Sequence, residues 1–183
     1  MEKRDTHAII LDFHPEGYPH DKRPSHRKTP VAQAITTNKY ALLELVPKDG
    51  VFLSIGDEVY IGEGKREQIN HIETRLPLKK LTNTAQGELQ YVLEQLIERN
   101  EQDFVAFFNE AKPLSMRMHS LELLPGLGKK HMWLVLEARE EQPFTSFSDI
   151  KERIKVLKEP QKLILKRIQQ EIAGTEKHKL FVE

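Results

Sequence analysis

The apolar residues of this chain change their spacing near residue 78, and this change limits the folds that the chain can adopt. Before residue 78, short apolar and β-branched runs alternate with turn residues such as Pro, Gly and Asp. After it, apolar residues recur every three or four positions, as they do on one face of an α-helix. The sequence therefore predicts an α+β protein, with a β-rich domain at residues 1–77 and an α-helical domain at residues 78–183.

Short strands are predicted throughout the first part of the chain. Their bounds are residues 7–13, 30–36, 40–46, 51–53, 58–61 and 68–74, and residues 180–182 could add a closing strand. The number and spacing of these strands are typical of a small barrel or sandwich. A polar segment, residues 14–29, separates the first two strands, and loops of this length are often functional.

The second part of the chain is predicted to be helical. The spacing gives helices over residues 85–97, 101–111, 116–124 and 128–139, then one that begins near Ser146 or Ser148 and one that begins at Pro160. Residues suited to cap these helices are Thr82 or Thr84, Ser115, and Ser146 or Ser148. Ile164, Ile168 and Ile172 lie on the predicted buried side of the last helix, and Gly174 is suited to end it.

The composition excludes several kinds of site. The chain has no cysteine, which excludes disulfides, thiolate metal sites and a thiol nucleophile. Its longest apolar runs, residues 104–108 and 132–136, have five residues each, whereas a membrane helix needs about 20. The N-terminal residues 1–5 are mostly charged, unlike the start of a signal peptide. We expect a soluble, cytoplasmic protein that has no membrane partner.

The charges balance overall but are unevenly distributed. The 28 Lys and Arg residues equal the 28 Asp and Glu residues in number. Residues 86–110 hold six acids and one base, whereas residues 151–170 hold seven bases and two acids. Zero net charge usually argues against nucleic-acid binding. The distribution matters more than the sum, however, because local charge sets the potential at a surface.

The most specific feature is a break between two predicted helices at residues 124–130, which we call the hairpin segment. Its residues are Leu124, Pro125, Gly126, Leu127, Gly128, Lys129 and Lys130. Pro125 disfavours helical geometry at Leu124, and Gly126 permits the positive φ of a reversal. Leu124 and Leu127 are expected to anchor the segment in the core. The amides that start the second helix, together with the two lysines, form a site suited to a phosphate group.

The hairpin segment resembles the helix-hairpin-helix motif of proteins that handle DNA and RNA. The resemblance extends over residues 115–139, and residues 124–129 are its specific part. In that family the hairpin amides hold a backbone phosphate and do not recognise the base, so the resemblance implies binding without sequence specificity. A plain turn between helices would explain the reversal, but it would not require two glycines, flanking leucines and two lysines together.

Lysines that follow the hairpin segment could add further contacts to a bound nucleic acid. Lys151 and Lys155, with Lys158, are spaced i, i+4 and i+7 and are predicted to share one helix face. A solvated, purely structural face is the alternative, because runs of charge are usually no more than that. The functional interpretation gains weight from the phosphate site predicted nearby in the sequence.

The β-rich part contains a second candidate binding surface. Residues 52–62 resemble a strand–turn–strand segment of an OB-type barrel, a fold that binds oligonucleotides on one face and its loops. Lys65 and Arg66 are the candidate phosphate contacts there. The aromatic candidates for base stacking are Tyr40, Phe52 and Tyr60, and the alternative for each is that it fills the barrel.

Two further sets of residues are weaker candidates. His14, His20 and His26 are evenly spaced in residues 14–29, but nothing in the sequence fixes them in the geometry of a metal site. Asp149 stands 21 residues after Gly128, and helix-hairpin-helix DNA glycosylases carry a downstream aspartate. An acid at the start of a helix is also favoured by the helix dipole. We expect no catalytic residue, no metal site and no cofactor.

Four segments, residues 56–62, 104–111, 119–130 and 147–150, are similar to those of a family of uncharacterised archaeal proteins predicted to bind RNA. The resemblance extends over the whole chain and implies that RNA is favoured over DNA. Leu127 departs from many helix-hairpin-helix motifs, which carry isoleucine or valine there. The family implies no enzymatic activity.

These observations predict a non-enzymatic nucleic-acid-binding protein that captures backbone phosphates at the hairpin segment. The alternative is a protein–protein interaction module, in which the acidic residues of 86–110 dock a partner and the hairpin segment only packs. A nucleic-acid-processing enzyme is a third hypothesis, and it would require an activity that disappears in Asp149→Asn.

Overall fold

The computed structural model describes residues 5–183, so residues 1–4, on which the expected absence of a signal peptide partly rests, lie outside the described range. The described residues form an α+β fold with a curled antiparallel five-stranded sheet, a half-barrel, and five α-helices. The chain divides into two compact units. Unit 1 contains the residues up to Val92 together with Ile172–Glu183, and unit 2 contains Leu93–Glu171. This division lies within the first helix, whereas the sequence places a boundary between residues 77 and 78.

The sheet of unit 1 explains the first part of the sequence. Its strands are β1 (His7–His14), β2 (Val31–Thr36), β3 (Leu42–Pro47), β4 (Glu58–Tyr60) and β5 (Ile69–Arg75). The strand order is β4-β1-β2-β3-β5, every neighbouring pair is antiparallel, and β4 and β5 are the edges. Every residue of the central strand β2 is buried. Its buried residues are mostly apolar, with Gln33 and Thr36 as buried polar side chains that form hydrogen bonds.

One face of the sheet carries an apolar core. Its buried residues are Ala8, Ile10, Ala32, Ala34, Leu43, Leu45, Leu53, Val59, Ile61 and Ile69. The pairing of β1 with β2 has an irregularity between Ile10 and Asp12. Irregularities of this kind turn a side chain away from its regular direction. Asp12, a charged residue in an apolar strand, is buried immediately after this irregularity.

The helices agree with most of the predicted ones. They are α1 (Asn83–Arg99), α2 (Glu101–Glu110), α3 (Lys129–Glu141), α4 (Phe147–Arg153) and α5 (Pro160–Ala173). Two predicted caps are confirmed, since the Thr82 hydroxyl accepts from the amide of Ala85 and the Ser146 hydroxyl accepts from that of Asp149. Within residues 5–183, no helix combines the length and the apolar character that crossing a membrane requires.

Three predicted elements are wrong. Residues 51–53 and 180–182 form no strand. No α-helix covers residues 116–124, where the chain forms a ribbon of two short strands, β6 (Pro113–Ser115) and β7 (Met118–His119), and then a 3-10 helix, Ser120–Leu123. The amide and hydroxyl of Ser120 both donate to the carbonyl of Lys112, at 3.2 and 2.7 Å. These bonds hold the ribbon closed and leave room for a single helical turn before Pro125.

Candidate nucleic-acid interface

The hairpin segment is entered through a capped 3-10 turn in unit 2. The Nδ1 atom of His119 accepts a hydrogen bond from the amide of Leu121 at 3.1 Å, and the amide of His119 donates to the Glu122 carboxylate at 2.7 Å. This reciprocal arrangement is a capping box, which satisfies amides that a helix start leaves open. His119 is only 7% exposed. Burial lowers the pKa of His119, and the positive charge of Arg139 lowers it further.

The turn itself is anchored by its two leucines. Leu124 and Leu127 are 1% and 2% exposed, and the amide of Leu127 donates to the carbonyl of Leu124 at 3.0 Å. Gly126 has a φ of 90°, a conformation that costs an L residue roughly 1–2 kcal/mol. The predicted anchoring role of the leucines is confirmed by their burial, and the positive φ explains the glycine after Pro125.

The helix that follows begins without a capping side chain. Gly128 is the N-cap of α3 and has no side chain that could accept from the first amides. The first hydrogen bond of the helix runs from the amide of Met132 to the carbonyl of Gly128 at 2.9 Å, so the preceding amides have no helical acceptor. Gly128, Lys129 and Lys130 are exposed. Unbonded amides and two cations thus lie together at the positive end of the α3 dipole.

A buried ion pair supports the turn from α5. The Nε atom of Arg167 donates to the Glu171 carboxylate at 2.8 Å, and its Nη1 donates to the carbonyl of Leu123 at 3.1 Å. A Cβ added to Gly126 would lie 3.9 Å from Leu163, which is ordinary van der Waals contact. The sequence argument missed this support, although Arg167 and Glu171 share the apolar stripe of Ile164 and Ile168 at helical spacing.

An exposed tryptophan on α3 was also missed. Trp133 is 59% exposed and follows Lys129 by four residues and Lys130 by three. Residues with these spacings are neighbours on a helix surface. Trp133 belongs to the apolar run 132–136 of a helix predicted to pack, but in the structure the buried residues of this run are Met132 and Val135. An exposed indole beside two cations offers a surface on which a base can stack.

The predicted helix face of Lys151, Lys155 and Lys158 is wrong. Helix α4 ends at Arg153, Ile154 leaves helical geometry, and Lys155 lies in a turn. The side chain of Arg153 explains this end, because it donates to the carbonyl groups of Ala138 and Gln142. All three lysines are exposed, so each remains available to a ligand, but helical spacing no longer aligns them.

The candidates in unit 1 differ in their exposure. Lys65 is exposed, whereas Arg66 is half-buried and its Nε donates to the carbonyl of Gly62 at 2.9 Å. Among the aromatic residues, Tyr40 is buried, which rules out the predicted possibility that it stacks on a base. The Tyr60 hydroxyl donates to the carbonyl of Glu63, so its ring is held over the following turn. Phe52 is 73% exposed.

The three histidines of residues 14–29 do not come together in one site, although His14 and His20 both contact the ring of Tyr18. His14 donates to Asp12, His20 stacks on Tyr18, and His26 lies in a short 3-10 helix, Ser25–Arg27. In the described part of the chain, no group of three or more His, Cys, Asp or Glu side chains is arranged to hold a metal ion.

Asp149 has a structural task in the fold. Its carboxylate accepts from the amide of Thr145 at 3.0 Å and pairs with Arg153 at 3.4 Å, while its amide donates to Ser146. These contacts close the first turn of α4, as the dipole argument for this residue expects. These contacts are sufficient to explain an acid at this position.

Comparison with known proteins places the whole described fold in one family. The model of a family described as "Protein of unknown function (DUF655)" matches residues 4–183. The chain belongs to the DUF655 family. This DUF655 protein has an α+β fold in which a curled sheet precedes the hairpin segment and its helices along the chain.

Two relatives illustrate how closely DUF655 proteins agree. The chain is 40% identical over 181 residues to "Uncharacterized protein MJ0038" of Methanocaldococcus jannaschii, an alignment that covers 99% of this chain and 80% of the relative. The crystal structure of Af1531 from Archaeoglobus fulgidus is 44% identical and superposes with a TM-score of 0.88. That superposition covers 98% of this chain and 100% of the other.

Proposed function

We propose that this DUF655 protein binds a nucleic-acid backbone, with RNA favoured over DNA, through a helix-hairpin-helix-like site at residues 124–130. The observation that carries the proposal is the exposed, uncapped start of α3, where Gly128 is followed by Lys129 and Lys130. Backbone amides at a helix N-terminus bind phosphate because both their hydrogen atoms and the helix dipole favour an anion. The preference for RNA rests on the family resemblance alone.

The proposed binding step is the capture of one phosphate group. Amides at the start of α3 donate to the phosphate oxygens, and the lysine ammonium groups add charge. The buried Leu124 and Leu127 hold the turn in place, so little ordering is needed when the ligand binds. Trp133 offers a face for an adjacent unpaired base. In this proposal the site binds the nucleic-acid backbone and does not modify it. We propose no catalytic step and no cofactor.

The footprint extends beyond this phosphate in the proposal. Lys151 and Lys155 are exposed in unit 2, and Lys65 and Phe52 are exposed in unit 1. The OB-like interpretation of residues 1–77 makes the unit 1 surface a second platform for phosphates and bases. Arg66 contributes less, because its guanidinium is engaged by Gly62. The proposal places this binding in the cytoplasm.

Gly128→Asp tests the proposal without harming the fold. A Cβ at Gly128 meets open space, and its φ of −82° suits any residue. An aspartate there would accept from the amides of α3 and so stabilise the helix by about 1 kcal/mol, while repelling a phosphate. We expect RNA affinity, measured by fluorescence anisotropy, to fall at least about tenfold while thermal stability is kept or increased. Gly128→Ala is the matched control and should bind normally.

Reversing the two lysines provides a second, independent test. The variant carrying Lys129→Glu and Lys130→Glu should lose affinity by more than about tenfold, because it replaces two attractive charges with two repulsive ones. The control carries Lys177→Glu and Lys179→Glu, two exposed lysines outside the hairpin segment. An affinity that is unchanged in the first variant, or that falls equally in both, would show that the hairpin segment is not the binding site.

The interaction-module alternative is favoured by a different surface. Several acidic residues of α1 and α2 are exposed, namely Glu94, Glu98, Asp103 and Glu110. The ribbon of β6 and β7 also exposes Leu114 and Met116, and exposed apolar side chains are frequent at protein interfaces. This alternative predicts no measurable RNA binding even at low salt. The anisotropy measurement therefore separates the two functions.

A further inference from the structure

Unit 1 contains a cavity of about 720 Å³ that the hairpin-based function does not use. It lies where the end of β1, the loop that follows it, β3, the end of β5 and the residues before α1 come together. The size is within the range of about 300–1,000 Å³ that is usual for small-molecule and cofactor sites. Its walls combine a histidine–aspartate pair, a tyrosine–glutamate pair and two cationic side chains.

The histidine–aspartate pair is fixed by a buried carboxylate. The Oδ2 atom of Asp12 lies 2.9 Å from Nε2 of His14 and accepts from the Thr82 hydroxyl at 2.5 Å, while its Oδ1 accepts from the amide of Phe13. Because an ionised carboxylate has no proton to donate, Nε2 of His14 must carry the hydrogen. Nδ1 accepts a hydrogen bond when the ring is neutral and donates one when the ring is protonated. A ribose hydroxyl can be the partner in either case.

A second polar network lies next to this pair, because the ring centroids of His14 and Tyr18 are 5.2 Å apart. The Tyr18 hydroxyl donates to the Glu44 carboxylate at 2.6 Å and accepts from Nε2 of Gln33 at 2.9 Å. The buried Gln33 also binds the carbonyl of Lys80 and the amide of Thr82. Burial raises the pKa of Tyr18, and the bond to Glu44 raises it further, so the phenol stays protonated. The network ties the loop and the start of α1 to the sheet.

Aromatic rings form a stack that begins at Tyr18 of this network. The rings of Tyr18 and His20 are nearly parallel, with an interplanar angle of 13° and centroids 5.1 Å apart. His20 is exposed, so a third flat ring can extend the stack. A nucleobase has the shape and polarisability for this position.

The cationic side chains of the cavity are its candidate contacts for an anion. Its two acids, Asp12 and Glu44, are already bonded to donors of the protein. Arg75 and Lys80 line the same cavity and are exposed. Two cations at the rim suit a phosphate group. A ligand that has a phosphate, a hydroxylated sugar and an aromatic ring matches all three sets of contacts.

We propose that this cavity binds a nucleotide, with its phosphate on Arg75 and Lys80, a ribose hydroxyl on His14 and its base against His20. The same chemistry is offered by a free mononucleotide and by the terminal nucleotide of an RNA chain. The proposal does not depend on the hairpin segment, since every residue that it uses belongs to unit 1.

Nuclear magnetic resonance titration of the full chain with AMP tests the proposal. We expect saturable shifts of the amides around the cavity, with a dissociation constant below about 1 mM. Lys80→Glu and Arg75→Glu should each weaken binding about tenfold, because each places a negative charge beside the phosphate. Lys79→Glu is the matched control, since Lys79 is an exposed neighbour that does not line the cavity.

Two further measurements distinguish a free nucleotide from an RNA end as the ligand, and test the cavity proposal separately from the hairpin proposal. Tighter binding of a 5′-phosphorylated RNA dinucleotide than of AMP would assign the cavity to an RNA end, and equal binding would assign it to a free nucleotide. The titration is repeated in the Lys129→Glu and Lys130→Glu variant, where cavity binding should persist. Absence of shifts with both AMP and the dinucleotide, or equal binding by Lys80→Glu and Lys79→Glu, would overturn the cavity proposal and leave the hairpin proposal standing.

Discussion

At the scale of single residues, His119 is expected to make the stability of the turn before the hairpin segment depend on pH. Nδ1 of the neutral ring accepts a hydrogen bond from the amide of Leu121. Protonation of Nδ1 would remove this acceptor. Burial and the charge of Arg139 lower the pKa of His119 below its usual 6.5. The unfolded chain therefore takes up this proton at a higher pH than the folded chain, and stability from this residue is lost as the pH falls.

We expect the free energy of unfolding to decrease between pH 7.5 and 5.5, by no more than the roughly 1 kcal/mol that an N-cap contributes. His119→Asn is the control, because asparagine can cap the same turn without a titrating group. The measurement is urea denaturation of both proteins at each pH, so that the other histidines affect both equally. A wild-type protein as insensitive to pH as His119→Asn would contradict this role.

At the scale of elements, α5 supports the hairpin segment through the pair of Arg167 and Glu171. The two side chains are 3% and 0% exposed, so replacing Arg167 with an apolar residue removes a charged donor from the buried carboxylate of Glu171. Arg167→Met should destabilise the protein by about 3–5 kcal/mol, the usual cost of breaking a buried pair. We expect this loss in the midpoint of urea denaturation.

A second substitution separates the charge from the packing. Adding Glu171→Leu to Arg167→Met removes the buried carboxylate, and apolar replacements of buried pairs are often neutral. Most of the lost stability should return in the double variant. If it does not, the bond from Arg167 to the carbonyl of Leu123 contributes more than the ion pair does.

The elements that could be predicted from sequence are those defined by local chemistry. The apolar stripe of α5, the Ser146 cap and the buried Leu124 and Leu127 all follow from spacing and residue type. The helix predicted over residues 116–124 failed because the ribbon of β6 and β7 depends on bonds between Ser120 and Lys112, eight residues apart. Helical spacing carries no information about such bonds.

The candidate sites show the same division. Gly126 and Gly128 were found because a turn and an uncapped helix start make local demands on the chain. The cavity around Asp12 and His14 was not found, because its walls come from segments as far apart as Asp12 and Thr82. The local signs of that site were the polar side chain of Asp12 after an apolar run and the histidines His14 and His20 in the loop that follows.

At the scale of the whole molecule, the balance of charge constrains how nucleic acid can be bound. The formal net charge is zero, so the protein as a whole exerts little long-range attraction on a polyanion. Affinity must then come from a few local contacts. The salt dependence of binding counts such contacts, because each neutralised phosphate releases counterions.

We expect the affinity for single-stranded RNA to fall between about 50 and 200 mM salt, with a slope of roughly −0.7 per phosphate contact on logarithmic axes. Lys129→Glu with Lys130→Glu should reduce this slope by about 1.4 if both lysines contact phosphates. Lys177→Glu with Lys179→Glu changes the net charge equally and should leave the slope unchanged. Anisotropy titrations at each salt concentration give these slopes. Equal slopes for the two variants would mean that binding follows total charge, and the local contact at the start of α3 would then have no part in it.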